Sequence, residues 1–93
     1  MKYDIKMSSK FKKDLRAAKK SGHDLNELDK IVKMLAEGKK LPPKNRDHDL
    51  HGKFEGAREC HIEPDWLLIY QYNNNELILY LISTGSHSNL LRL

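Results

Sequence analysis

A single cysteine, Cys60, stands among 93 residues, so no internal disulfide can form and a scaffold stapled in an oxidising compartment is excluded. Folding must rest on packing. Long apolar runs are also missing. The opening MKYDIKMSSKFKK has no stretch of signal-peptide length, and later apolar segments are too short to span a bilayer. The expectation is a cytoplasmic chain with no membrane association. No linker, repeat or low-complexity segment appears, and the length holds one domain, residues 1–93, with one modest core. Multidomain enzymes and dinucleotide-binding folds of ordinary size are thereby excluded. With 39% hydrophobic and 32% charged residues, the composition is that of a folded chain.

Lysine is abundant and unevenly placed. Residues 1–46 carry fourteen basic and six acidic groups (+8), and residues 47–93 carry three and seven (−4), giving the overall +4. A basic segment followed by an acidic, histidine-containing one fits a surface that attracts polyanions beside a site rich in titratable groups. A solvated lysine-rich helix face accounts for the basic half equally well, so charge alone does not decide the partner.

Lys2 to Met7 alternates as a strand. Ser8 or Ser9 signals a helix start, and Phe11, Leu15 and Ala18 follow at helical spacing until Gly22. Asp24 caps a second helix with Leu25, Leu28, Ile31, Val32 and Leu35 on one stripe, ending near Gly38. Leu41-Pro42-Pro43 ends helical structure, and Lys44 to Gly56 reads as a polar loop. Arg58–Ile62, Trp66–Tyr72 and Glu76–Ile82 read as strands, the last two joined through Asn73-Asn74-Asn75. His87 to Leu91 reads as a closing helical turn. The fold class is α+β: an N-terminal strand and a helical hairpin packed on a twisted antiparallel sheet, with a short C-terminal helix.

Four of the five histidines, His48, His51, His61 and His87, lie in the second half among Asp47, Asp49, Glu59, Glu63 and Asp65. Unperturbed imidazole titrates at about 6.5, so one ring can accept a proton while another donates one near neutral pH. RNA supplies its own nucleophile, the 2′-hydroxyl. Its cleavage needs a base, an acid for the departing 5′-oxygen, and cations for the crowded phosphate. Alternation puts Glu59 and His61 on one face of a strand and Arg58, Cys60 and Ile62 on the other, which takes the thiol away from the site.

The order Asp47-His48-x-Leu50-His51-Gly52, then Arg58-Glu59-Cys60-His61-Ile62-Glu63-Pro64-Asp65-Trp66, then Thr84-Gly85-Ser86-His87-Ser88, resembles the YafQ branch of the RelE-like bacterial toxins. Chain length and element order match as well. The resemblance implies a RelE-like fold and an endoribonuclease toxin of a type II toxin–antitoxin module, which cuts translated mRNA in the ribosomal A site by metal-independent acid–base catalysis. It implies two partners, a cognate acidic antitoxin of the DinJ/RelB kind and the 70S ribosome with its mRNA, and no cofactor. By the same resemblance the catalytic residues are His48, His61, Asp65 and His87, with Glu59 at an additional acidic position. On these residues the expectation is that His48 acts as the base, His87 or Asp65 as the acid, and His61 orients or stabilises the phosphate. Trp66, beside Leu67 and Leu68, is either a core residue or a platform for base stacking, and Arg58, Lys10, Lys13 and Arg16 are the candidate RNA-binding cations. Two positions depart from some relatives: Ser83 stands in place of an arginine and Leu91 in place of an aromatic residue.

Two other classes fit the inventory. His48-x-x-His51 and His61-x-Glu63-x-Asp65 offer ligands to a divalent ion, the mark of a metal-dependent nuclease. A noncatalytic module that binds RNA, the ribosome or protein would use the basic helices alone.

Overall fold

The structure, a computed structural model, describes residues 2–90. Strand β1 spans Asp4–Met7. Helix α1, Ser9–Lys20, begins where the Ser8 hydroxyl accepts a 2.9 Å hydrogen bond from the Phe11 amide, a first-turn donor with no partner inside the helix. That hydroxyl also donates to the Ile82 carbonyl at 2.6 Å, anchoring the helix start to the last strand. Gly22, at φ 86°, takes the left-handed backbone after α1. Asp24 then accepts from the Asn26 amide at 2.9 Å and opens α2, Leu25–Ala36.

The remaining strands are β2 (His48–Asp49), β3 (Arg58–Glu63), β4 (Trp66–Asn73) and β5 (Ile78–Gly85), followed by helix α3 (His87–Leu90). They form one five-stranded sheet in the order β1-β5-β4-β3-β2. The hairpin of α1 and α2 covers one face, packing Phe11, Leu28 and Leu35 against Cys60, Trp66, Leu68, Tyr70 and Leu79. On the other face a smaller core joins Leu67 and Ile69 to Ala57 and to Leu90 of α3. Fully burying an aliphatic side chain of this size contributes roughly 1.5–3 kcal/mol.

Three sequence expectations change in detail. The sheet is mixed, because β1 runs parallel to β5, from Asp4 opposite Ile78 to Met7 opposite Leu81. The two helices and three strands between them form a long crossover, which a parallel pair requires. The polar loop contains β2, antiparallel to β3 with His48 opposite Glu59 and Asp49 opposite Arg58. The last strand starts at Ile78 rather than Glu76, since the Asn73 side chain accepts from the Glu76 amide at 3.0 Å and Leu77 turns at φ 55°.

Register places the site. Residues directly opposite one another across a ladder share a face, so the row His48–Glu59–Ile69–Ser83 and the row His61–Leu67–Gly85 both point away from the helical hairpin.

Candidate active site

Three imidazoles converge on one carboxylate. Glu59 Oε1 lies 3.4 Å from His48 Nε2, 3.8 Å from His61 Nε2 and 4.0 Å from His87 Nε2. The Glu59 side chain is 2% exposed, His61 is 9%, and His48 and His87 are 51% and 52%. The carboxylate is therefore the floor of a bowl with His48 and His87 on its rim. The rings of His61 and His87 meet edge to face, centroids 5.6 Å apart.

Backbone carbonyls fix two tautomers. His48 Nδ1 donates to the Arg46 carbonyl at 2.7 Å, and His61 Nδ1 donates to the Pro64 carbonyl at 3.2 Å. A carbonyl oxygen can only accept, so each Nδ1 carries hydrogen and each Nε2 is the atom where a proton or a cation is gained or lost. Those Nε2 atoms face Glu59. Glu59, His61 and His87 also offer ligand atoms within 4.8 Å of one another, a two-imidazole, one-carboxylate set suited to a first-row divalent ion.

Among the residues expected at the site, His48, His61, His87 and Glu59 come together. Asp65 lies at the β3–β4 turn, where its carboxylate accepts from the His87 amide at 3.4 Å and so braces the start of α3. His51 is exposed and outside the cluster.

The expected RNA contacts fare differently. Trp66 is fully buried in the helix-side core and has His23 stacked on it, centroids 4.4 Å apart and planes 16° apart. It has no free face for a base, so the structure corrects it from a stacking platform to a core residue. Arg58 points to the helix-side face, as alternation requires. There Asp47 (3.2 Å), Asp49 and the Tyr70 hydroxyl (3.4 Å) hold its guanidinium. Burial opposes its charge, but the bonds to Tyr70 and Asp47 outweigh it and keep the group firmly protonated. Arg58 is thus corrected from an RNA-binding cation to the centre of a half-buried ion network on the helix-side face. Lys10, Lys13 and Arg16 are exposed on α1, with Lys10 paired to Asp14 at 2.8 Å. Ser83 is buried on the site face, and Leu91 lies outside the described residues.

Two residues that hold the site were missed. Asn45, buried in a 3-10 turn (Pro43–Asn45), donates from Nδ2 to the His61 carbonyl at 2.7 Å. Arg46, next along, supplies the carbonyl for His48. Their sequence signal is faint: a Pro-Pro-Lys-Asn stretch reads as a generic turn. Cys60, 0% exposed, is held far above the ordinary thiol range by burial first and by the negative charges of Asp47 and Glu59 second, which removes it as a nucleophile.

Comparison with known proteins adds the family. Residues 3–92 match the family described as the bacterial toxin of type II toxin–antitoxin system, YafQ. The mRNA interferase toxin YafQ of Escherichia coli K12 is 36% identical over 88 residues, 94% of each chain. A metal-bound toxin from Helicobacter pylori superposes with a TM-score of 0.90 at 46% identity, covering 95% of this chain and 98% of that one. YafQ in the E. coli DinJ–YafQ complex superposes with a TM-score of 0.86 at 36% identity, covering 95% and 97%. With the match running through both cores and all four clustered side chains, the chain belongs to the YafQ family of type II toxin–antitoxin toxins.

Proposed function

We propose that the chain is a ribosome-dependent endoribonuclease that cuts translated mRNA in the A site, arresting translation and growth. One observation carries the reading: the Nε2 atoms of His48, His61 and His87 all lie within 4.0 Å of the buried Glu59 carboxylate. Exposed His48 accepts the proton of the 2′-hydroxyl. The 2′-oxygen bonds to phosphorus, the P–O5′ bond breaks, and an acid protonates the departing 5′-oxygen, leaving a 2′,3′-cyclic phosphate and a 5′-hydroxyl. His87, also exposed on the rim, is better placed as that acid than Asp65, whose carboxylate is engaged with the α3 backbone. His61 stays at the floor and orients the phosphate. Glu59 balances the charge that passes among the three rings.

The partners follow from the family. The E. coli DinJ–YafQ complex supports an acidic antitoxin of the DinJ/RelB kind binding this basic chain, and translated mRNA supports a cytoplasmic location. No helix among the described residues is long and apolar enough to cross a membrane.

The test is primer extension on mRNA in a translating extract, with product ends identified. His48→Ala, His61→Ala and His87→Ala are each expected to lower cleavage by about 10²–10⁴-fold. Wild-type rates in all three end the proposal. A second reading, a metal-dependent nuclease, has specific support in the Glu59, His61 and His87 ligand set and in the metal-bound relative. The Pro64 carbonyl that holds His61 Nδ1 would also orient Nε2 toward such an ion.

A further inference from the structure

Negative charge grows on the phosphate oxygens as the 2′-oxygen attacks, and a cation beside the linkage lowers that barrier. The residues expected to supply it are elsewhere. Arg58 is held on the far face by Asp47 and Asp49, Ser83 on the site face carries no charge, and Lys10, Lys13 and Arg16 belong to the helix packed on the opposite face.

A cavity of about 330 Å³ opens between the turn ahead of β2 and the end of β3, with Lys44, Asn45, Arg46, His61 and Glu63 in its wall. Lys44 and Arg46 are exposed, and among the described residues neither has an ion-pair partner. Glu63, the carboxylate of that wall, faces His23 at 3.5 Å. Arg46 sits at φ 47°, ψ 45°, a left-handed conformation that glycine adopts freely and a side chain disfavours. Its backbone is engaged twice, the amide donating to the Pro43 carbonyl at 3.0 Å and the carbonyl accepting from His48, while its guanidinium has no hydrogen-bond partner among the described residues. A glycine would supply that carbonyl with less strain, so the guanidinium is what distinguishes the residue here.

We infer that this cavity is a subsite for a backbone phosphate of single-stranded RNA beside the linkage to be cut, with Arg46 as its principal cation and Lys44 as its second. The inference rests on the endoribonuclease reading and adds the cation that reading lacks. A guanidinium can grip two phosphate oxygens at once, and the shared wall sets that phosphate next to His61.

Arg46→Gly separates side chain from backbone, because it keeps the carbonyl and suits the left-handed turn. The probe is a short 2′-O-methylated oligoribonucleotide, which cannot be cut through its 2′-oxygen, titrated by fluorescence anisotropy across a range of NaCl. Arg46→Gly is expected to weaken binding about three- to tenfold at low salt and to reduce the slope of log K against log salt by about 0.7, one single-strand phosphate contact. Arg58→Gln, which loses its ion network and is compared at a temperature where it stays folded, should leave both unaltered. A wild-type slope in Arg46→Gly, or no salt-dependent binding by the wild-type chain, overturns the inference. Wild-type cleavage by the three histidine variants would instead remove the reaction and leave the binding result standing.

Discussion

Asn45 donates a 2.7 Å hydrogen bond from Nδ2 to the carbonyl of His61, and both residues are buried. The bond fastens the turn that precedes His48 to the strand that carries Glu59 and His61. Asn45→Ala leaves a buried carbonyl without its donor and is expected to lower the unfolding free energy by about 1–3 kcal/mol, read from urea denaturation. Cleavage should fall further than the loss of folded chain accounts for, since His48 and His61 lose their shared brace. An unchanged denaturation midpoint together with an unchanged rate would show that the bond positions nothing.

Glu59→Gln keeps the shape at the floor of the bowl and removes the charge that three imidazoles face. The expected result is a folded protein whose mRNA cleavage drops by about 10²-fold, the scale of losing one fixed electrostatic partner in a site. Circular dichroism confirms folding and primer extension reports the rate. Full activity in a folded Glu59→Gln protein would mean that the carboxylate is only a packing element.

Cys60 should behave as a buried hydrophobe. Its thiol, raised by burial and by nearby Asp47 and Glu59, is expected to resist iodoacetamide at pH 8 in the native protein and to react within minutes in denaturant. Cys60→Ala should retain cleavage. Rapid native-state alkylation would contradict the burial.

Alkaline stability follows from the tyrosines. Burial raises Tyr72 to about 12, against about 10 for an unfolded tyrosine, and its hydroxyl donates to the Leu35 carbonyl at 2.6 Å. The folded state favours the protonated phenol. The associated stability is therefore fully present below about pH 10 and is lost as pH rises through about 12. Tyr70 shifts the same way, through burial and then its bond to Asp47. Tyr72→Phe should decline less steeply over that window than wild type in pH-dependent thermal melts. Parallel curves would count against the shift.

Metal removal separates the two nuclease readings. Exhaustive dialysis against EDTA is expected to leave cleavage unaltered when proton transfer by the imidazoles does the chemistry. Activity lost on chelation and restored only by a divalent ion would promote the ligand set of Glu59, His61 and His87.

Local signals in the sequence were enough for the helical hairpin. Ser8 and Asp24 cap it, and its apolar stripe is the one the core receives. The face shared by Glu59 and His61 followed from alternation, and register bears it out. Long-range partners were not legible. Alternation in β1 reports which residues share a face, but says nothing of its partner, which lies seventy-four residues away (Asp4 opposite Ile78). Strand β2, two polar residues long, carries no hydrophobic pattern, yet it is what sets His48 opposite Glu59. Trp66 shows a different ambiguity, since an aromatic at a strand start serves a core or a ligand equally well until its neighbours are known.

The parallel pairing of β1 with β5 has a consequence for how the chain is made. Strand β5 lies between β1 and β4, so a nascent polypeptide holds β1 with an open flank until β5 has also emerged from the machine assembling it. His87 follows β5 and reaches Glu59 only then. The imidazole cluster is therefore completed only after β5 is in place, since its third ring is carried by the residues that follow that strand.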